Sequence, residues 1–305
     1  MSITSVKIVE VGPRDGLQNE KGLVPTVNKL AFIQKLIDAG LRYIEVTSFV
    51  HPRSIPQLAD ATEVVRGLPT TVPGVHFSAL VPNMKGLERA LEAGLREIAV
   101  LTATSDTFNQ RNINMSVEES LVQLQHVVAR ALQEGLFVRG YVSTAFYCPY
   151  EGKMPEQSLL TITQRLLNQG VQEISIGDTI GQATPADVTS ALQRLLTEIP
   201  VEKIAMHFHD TNGLALENVQ ASLDLGITTF DSSAGGLGGC PYAPGASGNL
   251  STDELVAYLS ARGIETGVQP DKLAEASLEL RTLFQKTDAL VEDIGNLQVF
   301  PNSVT

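Results

Sequence analysis

His207 and His209 stand two residues apart in KIAMHFH, and Asp210 follows them. On an extended strand, residues two apart point to the same side, so the two imidazoles share one space. Such a pair is either a hydrogen-bonded couple in a core or part of a metal site. Other unusual polar residues fall in equally short runs: Arg14, Asp15 and Gln18 in VGPRDGLQ, Glu45 and Ser48 in YIEVTS, Ser175 and Asp178 in ISIGD. Two imidazoles, Asp15 and the amide oxygen of Asn249 would make a mixed nitrogen and oxygen set. That set suits octahedral Mg2+ or Mn2+ with positions open for substrate oxygens. Zinc would follow if Cys240 were a ligand. Cys240 lies in GGLGGCPYAPGASGN, residues 235–249. A free thiol is usually a small buried hydrophobe, but these glycines build no packed core, and a mobile reactive thiol is the competing reading.

These residues need elements to hold them. Runs of strand-forming residues recur as VKIVEV, RYIEVTS, HFSALV, EIAVLTA, FVRGYVS, EISIGD, KIAMHFH and TTFDSSAG. Between them lie helical patterns such as VNKLAFIQKLIDAG and VEESLVQLQHVVARALQEG, with apolar residues three and four apart and a glycine at the end. Ser116 with Glu119, and Ser251 with Glu254, have capping-box spacing, and Thr184-Pro185 places a capping hydroxyl before an N1 proline. Eight alternating units predict an α/β fold, a closed (β/α)8 TIM barrel. The doubly wound rival is disfavoured because no G-x-G-x-x-G follows the first strand. One domain over residues 1–305 is expected, with residues from about 263 forming extra C-terminal helices on the barrel. In this fold, residues at the C-terminal ends of strands build the active site. Arg14, Asp15, Glu45, Ser48, Ser175, Asp178, His207 and His209 all lie there.

The bulk composition narrows the function. A net charge of −12 over 305 residues argues against a nucleic-acid partner. An anionic small molecule would need a local cluster of donors. Two cysteines make no disulfide framework. No apolar run reaches membrane-span length, the first strand begins almost at the N-terminus, and the tail FPNSVT carries no lipidation or peroxisomal signal. A cytoplasmic location is expected. His51, His76, His126 and Cys148 are read as structural.

VEVGPRDGLQNEK at 9–21, IEVTSFV at 44–50, GYVSTAFYCPYEG at 140–152, ISIGDTIG at 174–181, HFHDTNG at 207–213 and the glycine-rich stretch at 235–249 occur in this order. Together they closely resemble the 3-hydroxy-3-methylglutaryl-CoA (HMG-CoA) lyase family, within the metal-dependent Claisen-type lyases, synthases and aldolases. The resemblance implies retro-Claisen cleavage of HMG-CoA to acetyl-CoA and acetoacetate, as in leucine degradation, by a homodimer. It implies a divalent metal, Mg2+ or Mn2+, on Asp15, His207, His209 and Asn249, and places His207 among the catalytic residues. Arg14 would donate to the developing enolate oxygen, Asp178 would act as base or orient it, and Glu45 would hold Arg14 or a metal-bound water. Asp178 could instead cap a backbone turn, and Glu45 could be a plain buried ion pair. Cys240 would deliver or relay a proton, its glycines serving as hinges. Gln18, Ser48, Ser175 and Thr179 would contact substrate oxygens. Asn19 and Lys21, and more weakly Arg111, would contact the acyl-CoA arm.

One departure stands out. Phe146-Tyr147 are bulkier than the residues the family often has there, and they are expected to face the pocket. They keep open a related 3-hydroxyacyl-CoA or citramalyl-type thioester as substrate. A CoA-independent 4-hydroxy-2-oxo acid aldolase and a non-catalytic scaffold are further alternatives.

Overall fold

The structure, a computed structural model, describes residues 3–20, 22–69, 72–238, 248–280 and 282. Eight parallel strands close into a barrel: β1 (Lys7–Glu10), β2 (Tyr43–Ser48), β3 (His76–Leu80), β4 (Glu97–Ala103), β5 (Phe137–Ser143), β6 (Glu173–Asp178), β7 (Ile204–Phe208) and β8 (Thr229–Ser232). Each strand pairs with its neighbour in sequence, and β8 returns to β1 with Lys7 opposite Thr229. Closure leaves no open sheet edge. The (β/α)8 TIM barrel expected from the repeats is the fold observed.

The helices form where the periodicity places them. Val117–Gln133 carries a full capping box: the Glu119 N–H donates to Ser116 Oγ and the Ser116 N–H donates to Glu119 Oε2. It stops at Gly135, whose φ of 74° is costly for a residue with a Cβ. Thr184 caps Pro185–Leu196 in the same reciprocal way with Asp187. These helices and the outer faces of the strands bury one continuous aliphatic core that includes Leu36, Ile98, Val127, Ile174 and Leu192. Beyond Thr252–Ser260 the chain crosses the N-terminal end of β1, where the Val6 N–H donates to the Glu265 carbonyl at 2.9 Å. Residues 270–280 are helical, and Ser277 Oγ lies 2.9 Å from Asp253 Oδ2.

The expectation for Phe146-Tyr147 does not hold. After β5 the chain turns at Thr144, which has a φ of 53°, and enters a short antiparallel hairpin, Tyr147–Cys148 with Gly152–Lys153. Phe146 turns into the hydrophobic core, and the Tyr147 hydroxyl lies 3.4 Å from Asp187 under the Lys153 ammonium. Neither side chain lines the cavity at the barrel mouth.

Candidate metal centre and active site

The segment after β1 is a π-helical turn, Gly12–Gly16, which carries Arg14 and Asp15 inward. Its start is anchored by Glu10, a fully buried carboxylate at the end of β1. Glu10 Oε1 accepts from the N–H groups of Gly12 (2.8 Å) and Ala234 (2.9 Å), and Oε2 accepts from Thr252 Oγ1 (2.7 Å). Burial outweighs these three donors and pushes the Glu10 carboxyl up to about 7.

Asp15, His207 and His209 each present a ligand atom, all within 4.8 Å of one another. Gln18 Nε2 donates to Asp15 Oδ1 at 2.7 Å, and Asn249 Nδ2 donates to Asp15 Oδ2 at 2.8 Å. Asn249 Oδ1 and His209 Nδ1 are buried without a hydrogen-bond partner among the described residues, an arrangement that usually signals a missing partner. Burial, reinforced by His207, lowers His209 to about 4, so it stands neutral at pH 7 with a lone pair to give. Burial works against the Asp15 charge, but Arg14 and the two imidazoles hold that carboxyl below the usual range. A carboxylate, two imidazoles and an amide oxygen without a partner among the described residues fit an oxygen- and nitrogen-preferring divalent cation.

Around this cluster the barrel interior holds a connected ionic network. Arg14 Nε pairs with Glu45, and Arg14 Nη1 pairs with Asp15. Burial opposes charge on Arg14, but these two carboxylates keep the guanidinium firmly protonated. Glu45 Oε2 also accepts from the Tyr141 hydroxyl at 2.6 Å, and that hydroxyl accepts from Arg139 Nη1 at 3.2 Å. Arg139 then clamps Asp231 with both amino groups, at 3.0 and 2.6 Å, and pairs through Nε with Glu173 at 2.7 Å. Asp231 Oδ2 further accepts from Ser175 Oγ at 2.7 Å and lies 3.2 Å from His207 Nδ1.

A cavity of about 650 Å3 opens from this cluster toward solvent. Gln18, Asn19, Ser175, Thr179 and Arg111 line it, as expected of substrate contacts, and so does His51, which sequence reasoning set aside as structural. Thr179 Oγ1 accepts from the Thr144 N–H at 2.7 Å, which fixes its rotamer. Arg111 lies over the Tyr150 ring at 4.1 Å. Ser48 does not reach the cavity wall: its hydroxyl donates to the Leu80 carbonyl and accepts from the Val50 N–H, both at 3.3 Å. Asp178 behaves as the capping alternative described. Its two oxygens accept from the N–H groups of Gln182 (3.1 Å) and Ala183 (3.0 Å), while burial raises its carboxyl to about 6. Lys21 and Cys240 lie outside the described residues.

Sequence reasoning passed over Glu10, Arg139, Tyr141 and Asp231. A signal was present in FVRGYVS, where Arg139 and Tyr141 are two apart and therefore share the inward face of β5.

A family model described as HMGL-like matches residues 5–279. The chain is 49% identical to the mitochondrial hydroxymethylglutaryl-CoA lyase of Bos taurus, over 89% of this chain and 83% of that one. It is 47% identical to the hydroxymethylglutaryl-CoA lyase YngG of Bacillus subtilis strain 168, over 98% of each. The crystal structure of the Bacillus subtilis HMG-CoA lyase superimposes with a TM-score of 0.91, covering 93% of this chain and 96% of that one at 47% identity. An HMG-CoA lyase from Acinetobacter baumannii, solved with coenzyme A and 3-methylmalate, gives a TM-score of 0.87 at 39% identity, covering 92% of each chain.

Proposed function

The chain belongs to the HMGL-like family, and from that premise we propose that it is a carbon–carbon lyase cleaving HMG-CoA to acetyl-CoA and acetoacetate. The observation that carries this reading is the convergence of Asp15, His207 and His209 beside Arg14 at the inner end of one cavity. Retro-Claisen cleavage needs the C3 hydroxyl to lose its proton, the departing carbon to be stabilised as a thioester enolate, and that enolate to be protonated.

A divalent cation, Mg2+ or Mn2+, held by Asp15, His207, His209 and Asn249 Oδ1, would supply Lewis acidity at the C3 oxygen. Arg14 is fixed through Nε by Glu45, which leaves further N–H groups of its fork to donate to the enolate oxygen. An oriented donor of this kind is typically worth ~3 kcal/mol of barrier. Thr179 and Ser175 face the acyl group from the opposite wall. Asp178 shapes the turn that carries Thr179. Cys240 is our proposed proton donor to the enolate carbon. Asn19, Lys21 and Arg111 form the outward path for the coenzyme A arm, a reading supported by the related enzyme solved with coenzyme A.

On the same reading the enzyme acts in leucine degradation, in the cytoplasm, as a homodimer. Among the described residues no helix is long and apolar enough to cross a membrane. Phe146-Tyr147 kept a differently substituted acyl group open as an alternative, and neither residue lines the cavity. The test is incubation with a panel of 3-hydroxyacyl-CoA esters and Mg2+. Acetyl-CoA with acetoacetate from HMG-CoA is expected, and no acetyl-CoA from any ester would overturn the proposal.

A further inference from the structure

Asp231 does not line the cavity itself and reaches it through His207 and Ser175. Four polar contacts nevertheless converge on its carboxylate. It sits on β8 directly opposite His207 on β7 in the parallel register. Arg139 grips both of its oxygens, and Glu173 in turn holds Arg139, so the Asp231 carboxylate cannot rotate. Oδ2 faces three nitrogen or oxygen groups: Arg139 Nη1 at 3.0 Å, Ser175 Oγ at 2.7 Å and His207 Nδ1 at 3.2 Å.

We propose that Asp231 is a positioning residue that fixes the tautomer of His207, so that Nδ1 carries the proton and Nε2 is the nitrogen offered to the metal. An ionised carboxylate only accepts hydrogen bonds. Paired in bidentate fashion with a guanidinium, Asp231 is ionised and has no proton to offer His207 Nδ1. The contact is therefore made with Nδ1–H as donor, and the lone pair resides on Nε2. Outer carboxylates of this kind orient a ligating imidazole and raise its basicity, and their loss typically weakens metal binding by about 10–100-fold. Ser175 is drawn into the same arrangement. Its hydroxyl proton is committed to Asp231, so toward a substrate it presents lone pairs only.

The inference rests on the metal-site reading above, and the test separates the two. Full-length wild type and Asp231→Asn, both freed of metal, are titrated with Mn2+ while the free ion is followed by electron paramagnetic resonance. The histidine tautomers of the metal-free wild type are read by nitrogen-15 NMR, with His207 assigned by its loss in His207→Gln. The expected result is an Nδ1–H, bare-Nε2 signature for His207 in the wild type and Mn2+ affinity about 10–100-fold weaker in the variant. An asparagine can turn its amide N–H toward His207 Nδ1, so the variant's tautomer should shift toward Nε2–H. A wild type with bare Nδ1, or a variant whose Mn2+ affinity matches wild type, overturns the inference and leaves the metal site standing. A wild type that binds no Mn2+ overturns both. Should Asp231→Asn fail to fold, because Arg139 then loses half of its countercharge, the wild-type tautomer decides the matter alone.

Discussion

Arg14 and Glu45 form an ion pair through Nε of the guanidinium, with both side chains almost wholly shielded from solvent. The pairing takes Nε, and Nη1 of the same fork pairs with Asp15. Lysine has no such fork. Arg14→Lys keeps the charge and should lower kcat by about 10²–10³ with a smaller effect on KM. Glu45→Ala leaves Arg14 buried beside only Asp15 and Tyr141, and should also cost stability, roughly 3–5 kcal/mol. Steady-state kinetics and urea denaturation of both variants check this pair.

The candidate ligand set predicts a sharp metal dependence. Wild type stripped with a chelator should make no acetoacetate and should recover on addition of Mg2+ or Mn2+. Asp15→Asn and His209→Ala should recover nothing at the same metal concentration. Calorimetric titration of the stripped proteins should show heat of metal binding only for the wild type.

Cys240→Ala should lower turnover by about 10²–10⁴, the usual worth of a positioned proton donor. Its thermal midpoint should match the wild type. Exchange of solvent deuterium into the methyl group of acetyl-CoA reports the protonation step directly. A variant with unchanged turnover would remove Cys240 from the mechanism.

Glu10 predicts a pH effect on stability. Its carboxyl is raised from 4.5 to about 7 in the folded state. Between those values the native protein keeps a proton that the unfolded chain has released. Stability from this group is therefore full below the lower value and is lost as pH rises through the upper one. The loss amounts to roughly 3 kcal/mol. Asp178, raised to about 6, acts in the same direction over a lower window, and His209, lowered to about 4, acts oppositely. The difference between wild type and Glu10→Gln isolates the contribution of this carboxyl. Urea denaturation near pH 5 and near pH 8 should show the wild type losing stability relative to the variant at the higher pH.

Much of this architecture was legible in the sequence. Three strand runs, EIAVLTA, FVRGYVS and EISIGD, are strands over their whole length. In each, the residue types favour extended chain and the neighbouring helix signals limit the run. The shared face of His207 and His209 followed from strand alternation alone. What could not be read was partnership across the closed barrel. Arg139 and Asp231 are 92 positions apart, and nothing local says that an arginine in β5 meets an aspartate in β8. Phe146-Tyr147 were misread for a local reason. The strand ends at Ser143 and the chain turns at Thr144, so strand alternation no longer sets which way they point. Asp178 shows a third limit, because its type suits both a base and a turn cap, and only the neighbouring N–H groups distinguish them.

Gly238 approaches the site more closely than any side chain would allow. Its φ is 103°, and a Cβ there would lie 2.5 Å from Asn249 Nδ2 and 3.1 Å from the Asp15 carbonyl. The Gly238 carbonyl accepts from the Asn249 N–H at 3.2 Å, so the backbone entering the glycine-rich stretch is knotted to the backbone leaving it. That knot seats Asn249 against the turn that carries Asp15, so any side chain at position 238 would push these two candidate ligands apart.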